Sequence, residues 1–225
     1  MFRKQIAVLR EVIAERLLPT FASIENEAQT ISDKESERLD TAAGPDSDAA
    51  IAAEAAENAG ITHYLTLVDA KQGLLNLFAV ALHHLVEQQQ LMVLRQELVD
   101  RSENVTARIF KLDEFVDRLA ALNIEVKKFD SWPGIEELCY VANAVKHAEG
   151  RSAEWLRDHH PEIFVSPSLG AESHLAKSPN KWLFQPLCGQ DIFVTANHLK
   201  RYFNAAESFW QEFEEALSSR AGEAT

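Results

Sequence analysis

The stretch Glu136–Gly150, EELCYVANAVKHAEG, gathers more chemically capable groups than any other segment of the chain. Glu136, Tyr140, Asn143 and His147 recur at steps of four, three and four. On a helix, that spacing puts a carboxylate, a phenol, an amide and an imidazole on one stripe. An imidazole near its working pKa takes a proton from a hydroxyl or returns one to a leaving oxygen. The Asn143 amide beside it would fix its tautomer or bind a phosphate oxygen, and Lys146 would add positive charge. His147, Asn143 and Lys146 are therefore the catalytic candidates, with Tyr140, Arg151 and Glu136 as substrate-binding candidates. The plainer reading of the same residues is a solvated or interface-facing helix end, where Lys146 and His147 complement the negative pole of the helix dipole.

The elements that must position this stripe are helical. Ile135, Leu138, Ala142 and Val145 give the stretch a core-facing side, Pro133 suits its first turn, and Gly150 suits its end. Upstream, residues 3–30 read as an amphipathic helix threatened at Pro19. Residues 31–46 carry few large apolar groups and end in Gly44-Pro45, which predicts a linker. With the Ala-rich turns that follow, an acidic linker or mobile insertion is expected at about 31–59. Ser47 or Asp48 can cap the helix that begins there, and Gly60 is a candidate interruption.

From Thr62 to Val99 the pattern is long and apolar on more than one stripe, predicting a central helix with neighbours on several sides and a bend at Gly73. A shorter helix at 111–122 rests on Leu112, Phe115, Val116 and Leu119, and another spans 152–159. Residues 161–191, with four prolines, predict a long irregular loop, and Asp191–Thr195 has strand character. Thr195 or Asn197 can cap a last helix built on Leu199, Phe203, Phe209, Trp210 and Phe213, with a fraying end. The expected fold is mostly α: one domain over 1–225, an antiparallel bundle of five to six helices with the irregular loop before the C-terminal helix.

Composition narrows the functions. The net charge is −13, which argues against broad, sequence-independent binding to nucleic acid but leaves room for a local RNA site. Acidity concentrates between Glu25 and Glu57, where only Lys34 and Arg38 are basic, whereas Lys146–His160 is near neutral. The apolar run near Leu74–Leu85 is broken by Asn76, His83 and His84 and is too short to span a bilayer, so no membrane role is expected. No secretion signal is evident. Cys139 and Cys188 lack metal-type spacing and read as free thiols of a cytoplasmic protein.

His83 and His84 form i, i+4 pairs with Glu87 and Gln88. A metal there would want further donors from another helix, such as Glu136 or Glu137. The expectation is instead a core-edge histidine pair held by a carboxylate or amide, within a polar layer facing Asn143 and His147, with no metal and no cofactor. His159-His160-Pro161 reads as a capping and turn feature, and Trp132, Trp155, Trp182 and Trp210 as core or interface anchors.

The motif Ala142-Asn143-x-x-Lys146-His147, late on a helix that follows a long apolar one, resembles the HEPN superfamily of small, commonly dimeric helical bundles. That resemblance implies a homodimer. It also implies an RNA substrate for the catalytic members, many of which are metal-independent endoribonucleases of toxin–antitoxin or phage-defence systems. In those members an Arg precedes the Asn, and it acts with the His on the phosphodiester. Here that position is Ala142, which cannot stabilise the charge that builds on the phosphoryl oxygens. Lys146 or Arg151 would have to replace it without the planar fork of a guanidinium. The alternative is a non-catalytic dimerisation or partner-binding protein in which the Asn143/His147 helix is structural or interfacial. A small-molecule pocket between helices rests on the breadth of the superfamily alone.

Overall fold

The computed structural model describes residues 1–44, 47–100, 102–103, 111–167 and 182–223, with side chains as far as residue 220. Among the described residues seven α-helices follow one another: α1 (Phe2–Val12), α2 (Ile24–Ala42), α3 (Ala49–Val93), α4 (Leu112–Ala121), α5 (Trp132–His147), α6 (Arg151–His159) and α7 (Ala196–Glu223). No strand occurs among the described residues, so the mostly α reading holds; Asp191–Thr195 forms no strand, and Phe193 N–H donates to the Ile163 carbonyl at 2.8 Å.

α3 is the axis. Ala79, Leu82, Val86 and Leu94 (the last in a π-turn, Leu94–Leu98) are buried, and α1, α4, α5 and α7 all pack against this helix. Its partners bring the large residues: Phe115 and Leu119 from α4, Leu138 and Val141 from α5, and Tyr202, Phe203, Phe209 and Trp210 from α7. By length and composition Ala49–Leu98 would also suffice to cross a membrane. Here it buries Gln72, Asn76, His83, Gln89 and Gln90 inside the bundle. Gln89 ties three helices: it accepts from the Trp210 indole at 2.7 Å and donates to Gln5 Oε1 at 3.0 Å.

Two expectations fail. The linker at 31–46 is helical as far as Ala42, and residues 49–59 belong to α3, which runs through Gly60 without a break. α2 and the N-terminal half of α3 form an antiparallel two-helix arm in which α2 buries only Ile24 and Ala28. Bulk is unnecessary because the helices touch closely: a Cβ at Gly60 would lie 2.9 Å from the Ala28 carbonyl oxygen. The acidic, Ala-rich composition that looked like a linker is a good helix former packed through small residues.

Gly73 lies within the unbroken helix α3. It is the point where another segment lies on α3, as described below. The predicted break at Pro19 is present, as a π-turn (Ile13–Leu17) followed by a 3-10 turn (Leu18–Phe21). Asp48 caps α3 through Ala50 N–H at 2.9 Å, and Thr195 caps α7 through His198 N–H at 3.1 Å. The C-terminal turn expected to fray is helical to Glu223. Of the irregular loop predicted at 161–191, residues 168–181 lie outside the described residues; the rest holds only two short 3-10 turns.

Candidate functional site

α5 starts with Pro133 in its first turn and buries Ile135, Leu138, Val141, Ala142, Ala144 and Val145. It stops abruptly. Ala148 takes φ 58 and ψ −125, a backbone state that an L side chain resists. The stop is enforced by Glu149, whose carboxylate accepts two bonds from Arg157 of α6, at 2.7 and 2.6 Å, and one from Leu183 N–H at 3.1 Å. The Arg157 guanidinium holds the Glu149 carboxyl below its ordinary range. Ala148→Gly is expected to relieve the strained turn and raise stability by roughly 1 kcal/mol in urea denaturation.

The predicted stripe divides in space. Glu136 and His147 face solvent, and His147 has no hydrogen bond or ion pair among the described residues. Tyr140 turns to α6, where its ring stacks on Trp155 at 4.0 Å and Trp155 stacks on His159 at 4.3 Å. Arg151, exposed at the start of α6, shares a shallow groove with Tyr140, Trp155, Glu154 and Asp158. Asn143, half-buried, donates to Cys139 Sγ at 3.6 Å rather than to His147. Ala142 is fully buried, so an arginine at that position would point into the core.

Of the buried polar layer expected to face Asn143 and His147, His83 is buried, but His84 and Glu87 are partly exposed and His147 faces solvent. Lys146 and Glu87 both act electrostatically on His83 and on Cys139, which places the last turns of α5 across from the His83-His84-Glu87 turn of α3. His84 Nδ1 is 3.1 Å from Glu87 Oε2, as expected of a carboxylate-held histidine. His83 differs: it is only 8% exposed, and its Nδ1 has no hydrogen-bond partner. Burial above all pushes its pKa down to about 4, with Lys146 and His84 helping and Glu87 opposing, so the ring is neutral at physiological pH. Burial, then the Glu87 carboxylate, pushes the Cys139 thiol up; it is a protonated thiol, not a nucleophile. Donor atoms of His83, His84 and Glu87 lie within 4.8 Å of one another, a geometry able to hold a cation.

Sequence reasoning missed two features. Glu137 is buried and accepts from the Tyr202 hydroxyl at 2.7 Å and from the Arg201 guanidinium, with His160 Nδ1 at 3.7 Å. Its phase, shared with Val141 and Ala144, marked it as inward-facing. The second is the loop at 182–195. Asn76 donates to the Pro186 and Ile192 carbonyls, both at 2.8 Å, and accepts from Val194 N–H at 3.1 Å. Gln72 donates to Asn76 Oδ1 at 3.0 Å and to the Val194 carbonyl at 2.9 Å. Asp191 holds the tip through Phe184 and Gln185 N–H, at 2.8 and 2.6 Å. A side chain at Gly73 would collide with the Leu187 carbonyl oxygen. On this fastened backbone Trp182, Phe184 and Leu187 are 55, 77 and 53% exposed, and Leu77, one turn along α3 from Gly73, is exposed too.

No family model matches the chain, and no curated protein or solved structure matches it significantly.

Proposed function

We propose that this chain is a HEPN-like helical protein of the non-catalytic kind, which acts by associating with a second copy of itself through the 182–187 loop. One observation carries the reading: three large apolar side chains stand in solvent on a backbone held by Asn76, Glu149 and Asp191. Held aromatic groups make efficient interface anchors because little conformational freedom is lost on contact. Charge supports a second copy as the occupant. The loop adjoins the near-neutral Lys146–His160 region, whereas the acidic arm would hold two copies apart.

RNA cleavage is the second reading, favoured by the joint exposure of Lys146, His147 and Arg151 at neighbouring helix ends. Against it stand the lack of an orienting partner for His147 among the described residues, the core position of Ala142, and Glu154 and Asp158 in the groove that a phosphate would enter. A toxin–antitoxin or phage-defence setting, and a cytoplasmic one, rest on the resemblance and the composition alone.

One pair of measurements separates the readings. In light scattering, a Trp182→Ser/Phe184→Ser variant is expected to dissociate at concentrations where the wild type is dimeric, its affinity weakened about a hundredfold or more. Incubated with a mixed RNA pool, wild type and His147→Ala are expected to leave it intact. Cleavage by the wild type that His147→Ala abolishes would establish the nuclease reading instead.

A further inference from the structure

We propose that His83, His84 and Glu87 form a binding site for a first-row divalent metal ion, zinc fitting best, with three protein donors and an open position. This goes beyond the association reading and does not depend on it.

The donors come from adjacent turns of one helix at positions i, i+1 and i+4. Glu87 stands four residues after His83 and three after His84, so each imidazole can meet its carboxylate across one turn. Their donor atoms already lie within 4.8 Å of one another. Around one tetrahedral ion with bonds of about 2.1 Å, donors stand roughly 3.4 Å apart, so modest side-chain rotation closes the set. Two imidazoles with one carboxylate are a donor set that zinc and similar ions take in open sites.

The second observation is the state of His83. It is more than nine-tenths buried, and its Nδ1 has no hydrogen-bond partner. A buried ring nitrogen left unpaired is unfavourable, and ligation of the imidazole would give this residue a role that packing alone does not. Its neighbour ring is oriented by the same Glu87 carboxylate, at 3.1 Å. The cation felt at this cluster is Lys146, whose side chain is solvent-exposed and free to turn outward. Cys139 and Asn143 are bonded to each other on α5, and the Glu87 carboxylate reaches that thiol electrostatically. Glu136, exposed on α5, is not among the converging donors, and Glu137 is committed to Arg201 and Tyr202.

Titration of the full chain with Co²⁺ tests the site. The expected result is one ion per chain with the intense visible bands of a low-coordinate Co²⁺ centre, displaced stoichiometrically by Zn²⁺, and a thermal midpoint raised by Zn²⁺. Glu87→Gln and His83→Gln should each weaken binding at least about tenfold. Cys139→Ala should retain the visible bands, and neither it nor the wild type should show a thiolate charge-transfer band, since the thiol is not one of the three donors. A His159→Gln/His160→Gln variant should bind as wild type does, because that pair at the end of α6 is the other adjacent imidazole pair. If His83→Gln fails to fold by circular dichroism, His84→Gln and Glu87→Gln decide. The proposal is overturned if folded Glu87→Gln binds Co²⁺ as tightly as wild type, if binding disappears with the His159/His160 variant, or if wild type binds none.

Discussion

Asn76→Ala is expected to lower folding stability by about 3–5 kcal/mol, the largest effect of any single substitution considered. The side chain is fully buried and all four of its hydrogen-bonding positions are used: two donors to the Pro186 and Ile192 carbonyls, and an oxygen shared by Val194 N–H and Gln72. Alanine leaves two carbonyls and one N–H of the loop without a partner in a place water does not readily reach. Leaving each such group unpaired costs on the order of 1–3 kcal/mol, partly recovered if the loop lifts away. The same variant should therefore show fast hydrogen exchange and early proteolysis at 183–194, with α5 and α7 still protected. Urea denaturation with unchanged stability and an unchanged cleavage pattern would mean that the loop is held by something else.

Glu137→Ala is the second large effect, expected at about 2–4 kcal/mol. Its carboxylate is the shared acceptor for the Tyr202 hydroxyl, itself fully buried, and for Arg201. Burial and this carboxylate push the Tyr202 hydroxyl pKa upward, so it remains a donor throughout the accessible pH range. Alanine strands that donor in the interface of α5 and α7 and leaves the guanidinium without its counter-charge. Glu137→Gln keeps an acceptor for Tyr202 and should lose less than half as much. Equal losses for the two variants would show that charge, not the hydrogen bond to Tyr202, dominates at this position.

These two residues also show what spacing can and cannot reveal. The inward faces of α3, α5 and α7 follow from apolar periodicity, because core packing is written in the positions of Leu82, Val141 or Phe209 along their own helices. Asn76 looked like a mere interruption in an apolar run. Its partners are backbone atoms 110 to 118 residues away, and no local pattern encodes them. α2 was misread because bulk was taken as the sign of a packed helix; at the Ala28–Gly60 contact closeness replaces bulk. In the candidate site, the shared stripe of Tyr140, Asn143 and His147 was correct as angular geometry. What divides it is the neighbourhood: Trp155 draws Tyr140, Cys139 engages Asn143, and His147 meets only water-facing surface. Trp182 was read as a core or interface anchor, and its exposure on a fastened loop takes it out of the core.

The association reading places function on a surface that the loop completes rather than on the α5 stripe itself. Its most direct test is sedimentation equilibrium over a range of protein concentrations, with wild type, His147→Ser and Phe184→Ser run side by side. The expected result is a reversible dimer for wild type and for His147→Ser, and a monomer for Phe184→Ser with an unchanged circular dichroism spectrum. A wild-type chain that stays monomeric at every concentration, or a dimer that persists in Phe184→Ser, would contradict it.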